Sequence, residues 1–165
     1  MSQPTDGREL AAQIVRVLGE REQTVAVAES LTGGLLGAAI TDIPGASVVF
    51  RGGIIAYATE LKATLLGVPA ELLASYGPVY PGVAAAMAAG ARDRLGATFG
   101  VATTGVAGPD PADGKPPGTV HIAVSAGAAP VTRELALHGG RDEVRRGTVE
   151  QALRLLWNML WEECP

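Results

Sequence analysis

The hydrophobic pattern at the start of the chain switches between helical and strand spacing. Asp6 followed three residues later by Glu9 is typical of a capping box, and apolar residues then recur at helical spacing as far as Gly19. A short apolar run at 24–28 predicts a buried strand, and the residues 31–40 that follow it predict a helix. The chain therefore opens with a helix, a strand and a second helix.

The same alternation continues to the end of the chain. A longer strand is predicted at 48–58, with Gly52 and Gly53 inside it, which is typical of a bulge or a close backbone approach. Further helices are predicted at 60–66, 69–75, 81–95 and 141–161, and further strands at 98–103, 119–125 and 131–138, the last two joined as a hairpin through Gly127. Strands interleaved with helices predict an α/β fold: a single-domain three-layer α/β/α sandwich around a mixed sheet.

Composition adds a constraint on packing. The 165 residues suffice for one compact domain, and the content is 47% hydrophobic but only 4% aromatic, so the layers must pack closely on small side chains. The predicted helix 81–95 is nearly all small and apolar and has no polar face. Such a helix is either enclosed in the fold or buried between subunits, and we expect some contribution from an interface and hence a homo-oligomer.

Charge and hydropathy restrict the partners. The formal charge is −4 and Lys and Arg form no run, which argues against binding to a nucleic-acid backbone or to an anionic membrane. The sequence shows neither a signal-peptide pattern nor an apolar stretch of membrane-spanning length. We therefore expect a cytoplasmic protein whose partner is a small molecule.

Cysteine and histidine are scarce and carry little chemistry. Cys164 is the only cysteine and lies beside the C-terminus, so we interpret it as a bystander. His121 and His138 both fall in alternating apolar runs, which favours ordinary strand residues over metal ligands or catalytic bases. We expect no metal site and no Ser-His-Asp enzyme.

Ser30 is the strongest candidate for chemistry. It stands where the apolar run ends and the predicted helix starts, so the N–H groups of Leu31, Thr32 and Gly33 would face developing negative charge. Gly33 and Gly34 would let a ligand approach the backbone. The alternative is that Ser30 only caps the helix, and the heptapeptide alone leaves both interpretations open.

A serine nucleophile needs a base, and with histidine disfavoured a lysine is the best candidate. The chain has two lysines, Lys62 and Lys115, and only Lys62 has apolar neighbours. It follows the strand after Ser30 and would lie at the same sheet edge if the two strands are parallel. Tyr57 at that strand's end could orient it or bind substrate. The alternative is a surface lysine beside a packed tyrosine.

Two further segments are candidates for nucleotide binding. Thr104 and Gly105 open a glycine-spaced loop after a strand, which can line a nucleotide site, although G-x-x-G alone is a weak signal. Arg141 and Arg145 share one face at the start of the last helix and can hold a phosphate, or simply form a solvated face. The Pro- and Gly-rich loop 108–118 is expected to stay irregular and to line a site.

These segments together resemble the CinA C-terminal-domain family. The resemblance rests on residues 28–34, 57–62, 104–109, 115–120 and 141–145 in this order, and the ordered set is far more specific than any member of it. It implies a nicotinamide-nucleotide amidohydrolase that converts nicotinamide mononucleotide and water to nicotinic acid mononucleotide and ammonia in pyridine-nucleotide salvage, without metal or organic cofactor.

The resemblance also implies residue roles. Ser30 matches the nucleophile, Lys62 the base and Tyr57 a nearby active-site tyrosine, while the Thr104 loop and the arginines would hold the ribose phosphate. Relatives commonly have cysteine at Leu31, which counts against a thiol mechanism here.

Tyr80 is a second departure, because relatives usually have a small polar or acidic residue there. A tyrosine could narrow the pocket. The main alternative is therefore a catalytically silent nucleotide-binding paralogue of the same fold, and a dinucleotide-dependent oxidoreductase is a weaker one because the glycine fingerprint is incomplete. Nothing is carried over from the additional N-terminal domain of longer family members.

Overall fold

The structure is a computed structural model, which describes residues 6–127 and 129–162. Cys164, interpreted above as a bystander, lies outside these residues. In chain order the elements are α1 (Gly7–Glu20), β1 (Val25–Glu29), α2 (Leu35–Thr41), β2 (Phe50–Ile55), α3 (Thr59–Leu66), α4 (Ala70–Tyr76), α5 (Pro81–Leu95), β3 (Phe99–Gly105), β4 (Thr119–Ser125), β5 (Val131–Ala136) and α6 (Arg141–Glu162). No helix within the described ranges is long and apolar enough to cross a membrane.

The five strands form one mixed sheet in the order β2-β1-β3-β4-β5. β1 runs parallel to both β2 and β3, whereas β4 pairs antiparallel with β3 and with β5. Helices cover both faces of the sheet, so the predicted single-domain α/β sandwich and the terminal hairpin are confirmed.

Strand alternation divides the core into two layers of different character. Val25 and Val27 of β1 face α1, α2 and α6, in a layer built from large aliphatic side chains and Phe99. Ala26 and Ala28 face α3 and α5, in a layer dominated by alanine. The small side chains bring α5 close to the sheet, as the composition predicts.

α5 has the predicted bounds, and its packing explains why its residues are small and apolar. Its fully buried residues pack on the sheet and on α3 within the same chain. Its lack of a polar face therefore follows from the fold without a second subunit, and the homo-oligomer stays a prediction.

The second helix begins four residues later than predicted. Gly33 and Gly34 have φ angles of +56° and +106°, a left-handed conformation that glycine adopts without strain. Residues 31–34 consequently form a turn, and α2 starts only at Leu35. Ser30 lies at the end of a strand and before a turn, not directly at a helix N-terminus.

Several strand boundaries also differ from the prediction. β3 ends at Gly105 and not at 103, so Thr104 and Gly105 are strand residues and do not lie in a loop after it. β2 starts at Phe50 because the residues before it form a short 3-10 turn, Ala46–Val48. β5 ends at Ala136, so His138 is an exposed residue beyond the strand and not a strand residue. His121 lies buried in β4, as predicted.

Gly52 and Gly53 match both expectations for the long strand. The pairing of β2 with β1 shifts register between Val25 and Ala26, and Gly52 has a φ of +145°. A Cβ on Gly53 would lie 2.6 Å from Cγ2 of Val27. The two glycines therefore allow a bulge and a close approach between the strands.

Candidate active site

A cleft of about 230 Å³ opens at the carboxyl ends of the parallel strands β1, β2 and β3. This is the edge where open α/β sheets bind ligands, because loops from several strands meet there. The sequence-predicted residues in its wall are Ser30, Tyr57, Lys62, Thr104, Gly105 and Arg141. Thr32, Gly33, Gly34 and Arg145 are not part of that wall.

Ser30 and Lys62 meet at the floor of the cleft. Ser30 follows the last residue of β1, and Lys62 is the fourth residue of α3, the helix that follows β2. Because β1 and β2 are parallel, both segments lie at the same edge of the sheet. Nζ of Lys62 lies 3.0 Å from Oγ of Ser30. Lys62 is only 1% exposed, which rules out the alternative of a surface lysine.

Burial alters the protonation of Lys62. Desolvation lowers the pKa of its amine from 10.5 to about 8. The nearby charges of Asp113 and Glu60 raise the pKa and so partly oppose the effect of burial. With that pKa about one amine in ten is neutral at pH 7, compared with fewer than one in a thousand for an ordinary lysine. Lys62 is therefore poised to accept a proton near neutral pH.

Backbone carbonyls fix the orientation of the amine. Nζ of Lys62 donates to the carbonyl oxygen of Ala56 at 2.8 Å and to that of Tyr57 at 3.4 Å. A neutral amine has two hydrogens and one lone pair. Because the two carbonyls accept the hydrogens, the lone pair is left for the hydroxyl of Ser30, which is the arrangement a general base requires.

The turn after Ser30 supplies fewer free donors than the sequence suggests. The N–H of Gly33 donates to the carbonyl of Ser30 at 3.0 Å, so this group does not face the cleft as a free donor. The N–H groups of Leu31 and Thr32 have no acceptor in the part of the chain that the structure describes. Both residues are buried, and such donors can stabilise an oxyanion beside Ser30.

The buried carboxylate of Glu29 stabilises the end of this turn and the start of α2. It accepts hydrogen bonds from the N–H groups of Gly34, Leu36 and Gly37, at 3.2, 2.9 and 3.0 Å, and the side chain is 1% exposed. Glu29 therefore acts as a local cap of the helix that follows. The carboxylate satisfies the first N–H groups of α2 and complements the positive end of that helix.

Buried threonines connect the turn to β3. The hydroxyls of Thr32 and Thr103 lie 2.8 Å apart, and the Ser30 N–H donates to the Thr103 carbonyl at 3.1 Å. Thr104 donates its hydroxyl to the carbonyl of Pro78 at 2.7 Å and faces the cleft beside Gly105. The cleft wall is thus tied to the rigid centre of the sheet.

The two arginines of α6 share a face, as predicted, but reach different places. Arg141 donates to the carbonyl of Gly108 at 2.7 Å and to the hydroxyl of Tyr57 at 3.1 Å, at the mouth of the cleft. Arg145 donates to the carbonyls of Leu31 and Thr32 at 2.9 and 3.2 Å. Only Arg141 is placed where it can contact a ligand in the cleft.

Sequence reasoning missed part of the cleft wall. Asp110 and Asp113 line it, and so do Thr59 and Pro78. The loop 108–118 was expected to line a site, but its acidic residues carried no separate signal. Among the described residues no three His, Cys, Asp or Glu side chains are grouped to hold a metal ion.

Tyr80 does not narrow the cleft. Its ring stacks on that of Tyr76, with centroids 4.1 Å apart and planes at 5°, and it packs against the alanine-rich layer. The cleft wall at this point is formed by Pro78 and Val79 instead.

The fold and the site define a class: small α/β proteins with a buried serine–lysine pair at the ends of parallel strands. The chain belongs to the CinA C-terminal domain family, whose profile matches residues 7–160. This confirms the resemblance found in the sequence.

Relatives and solved structures agree with this assignment. The CinA-like protein of Frankia casuarinae is 54% identical over 92% of this chain, and that of Synechococcus sp. (strain RCC307) is 49% identical over 92%. The chain spans 35% and 37% of the length of these two relatives. A crystal structure of the competence/damage inducible protein CihA from Agrobacterium tumefaciens is 39% identical, with a TM-score of 0.90 over 96% of this chain and 99% of that one.

Proposed function

We propose that this protein is a hydrolase that deamidates nicotinamide mononucleotide to nicotinic acid mononucleotide and ammonia through a serine–lysine mechanism. The observation that carries the proposal is the 3.0 Å pair of Ser30 Oγ and Lys62 Nζ on the cleft floor, with a lysine pKa lowered to about 8. The family resemblance supplies the substrate, and the size of the cleft suits a small molecule.

In the first half of the reaction Lys62 acts as a base and then as an acid. Its lone pair takes the proton of Ser30 while Oγ bonds to the carboxamide carbon, giving a tetrahedral oxyanion. The resulting ammonium returns that proton to the amide nitrogen, the C–N bond breaks and ammonia leaves. The N–H groups of Leu31 and Thr32 stabilise the oxyanion.

In the second half water replaces ammonia. Lys62 takes a proton from the water, whose oxygen attacks the ester carbon of the acylated Ser30. Collapse of the second oxyanion releases the carboxylic acid, and the proton returns to the Oγ of Ser30. The reaction consumes one amide and one water and forms one acid and one ammonia.

Binding of the nucleotide falls to the upper wall of the cleft. Arg141 holds the ribose phosphate, since guanidinium donors suit phosphate oxygens. The Thr104-Gly105 segment lines the wall beside it, with the Thr104 hydroxyl bonded to the carbonyl of Pro78. Tyr57, held by Arg141, limits one side of the mouth. The chemistry proposed uses only side-chain and backbone groups of this chain.

The test is a product assay with the purified protein and nicotinamide mononucleotide. We expect ammonia and nicotinic acid mononucleotide in equal amounts. Tight binding of the nucleotide without ammonia release would establish the silent paralogue instead. Tyr80, the residue that raised that alternative, gives it no support because its ring stacks on Tyr76 and is not part of the cleft wall.

A further inference from the structure

Arg145 contacts the turn that carries Ser30, not the space a nucleotide would occupy. Its Nε donates to the Leu31 carbonyl at 2.9 Å and its Nη2 to the Thr32 carbonyl at 3.2 Å, so one guanidinium spans two consecutive peptide groups. A Cβ on Gly33 would lie 3.4 Å from the same Nη2. The turn therefore packs directly against the guanidinium group.

These hydrogen bonds act on an amide in the turn that follows Ser30. The carbonyl of Leu31 and the N–H of Thr32 belong to one amide, so a cation bonded to the oxygen draws electron density from the N–H and strengthens it as a donor. That N–H has no acceptor within the described ranges, and Thr32 is fully buried. In other hydrolases the backbone next to a nucleophilic serine provides the oxyanion hole.

We propose that Arg145 is a positioning residue, which fixes and polarises the Leu31-Thr32 amide so that its N–H stabilises the oxyanion. The inference rests on the proposed amidohydrolase function. It divides the work of two arginines one helical turn apart: Arg141 holds the nucleotide, and Arg145 acts only through the backbone. This differs from the phosphate-binding role that the resemblance implies for both.

The first test separates binding from turnover. Arg145→Met should lower kcat about 10- to 100-fold, within or below the range for loss of an oxyanion donor, and leave KM within twofold. In a Ser30→Ala background, calorimetry with nicotinamide mononucleotide should give the same Kd with Met or Arg at position 145. Arg141→Met is the matched control and should weaken that Kd at least tenfold.

A second test reads the oxyanion directly and uses ratios within one variant, which loss of folded protein does not change. The thiocarboxamide analogue of the substrate places sulfur, a weak acceptor, where the oxyanion forms. The preference for carboxamide over thiocarboxamide in kcat should shrink in Arg145→Met and be partly restored in Arg145→Lys, which keeps a cation and a donor.

The outcomes distinguish the inference from the proposed function. Wild-type protein that releases no ammonia contradicts the function itself. Active wild type with an Arg145→Met variant that weakens nucleotide binding as much as Arg141→Met, or with an unchanged carboxamide preference, overturns the positioning role alone.

Discussion

Replacing Lys62 by Met tests the protonation of the buried amine without any assay of activity. Burial lowers the pKa of Lys62 from 10.5 to about 8, so the unfolded chain binds this proton more tightly than the native protein. Below pH 8 the lysine therefore lowers the free energy of unfolding by its full penalty. This penalty decreases as the pH rises towards 10.5. The Met variant keeps the buried aliphatic stem and carries no such penalty.

The magnitude follows from the size of the shift. A difference of this size between the folded and unfolded pKa values costs about 3 kcal/mol at pH 7. Met also leaves the buried carbonyl of Ala56 without its donor, which costs about 1–3 kcal/mol at every pH and offsets most of the gain. The clear signal is the slope: wild type should gain about 2 kcal/mol relative to the variant between pH 7 and 9.5.

The assay is urea unfolding of both proteins at several values of pH across this range. All other titrating groups are common to the two proteins, so the difference isolates Lys62. Lys115→Met provides the matched control, because Lys115 is the only other lysine and lies outside the cleft wall. Parallel stability curves for wild type and Lys62→Met would refute a lowered pKa and with it the general-base argument.

Two further predictions use acidic residues around the site. The kcat/KM of the wild type should rise with pH and level off above the pKa of Lys62, near 8. Asp113→Asn removes a carboxylate that raises this pKa, so the midpoint of the pH profile should move to lower pH. An unmoved midpoint would contradict the coupling. Glu29→Gln replaces one carboxylate oxygen, which accepts hydrogen bonds from N–H groups of α2, by an NH₂ group that can only donate. The free energy of unfolding in urea should fall by about 1–3 kcal/mol, whereas the exposed control Glu71→Gln should have little effect.

The sequence was sufficient to predict the layers, and it predicted Ser30 and Lys62 at one sheet edge on the condition that their strands are parallel. Alternation of valine and alanine defines two buried faces, and two parallel strands that end at one edge bring the residues after them together. What it did not determine was burial: an apolar neighbourhood fits a surface lysine stem as well as a buried amine. Only the packing of α3 on the sheet decides between them.

The start of α2 and the direction of Arg145 depend on contacts distant in sequence. The turn 31–34 exists because its glycines adopt positive φ angles and because Arg145, from the last helix, bonds to its carbonyls. Helical spacing correctly placed Arg141 and Arg145 on one face, but a long flexible side chain can reach either the cleft or the turn. Local patterns carry no information about that choice.

The most direct test of the account is ammonia release from nicotinamide mononucleotide by Ser30→Ala, measured with enzyme in excess over substrate. Ser47→Ala is the matched control, because Ser47 is exposed and lies outside the cleft wall. We predict that release is undetectable in Ser30→Ala and equal to wild type in Ser47→Ala. Release from Ser30→Ala at the wild-type rate would contradict the serine–lysine mechanism.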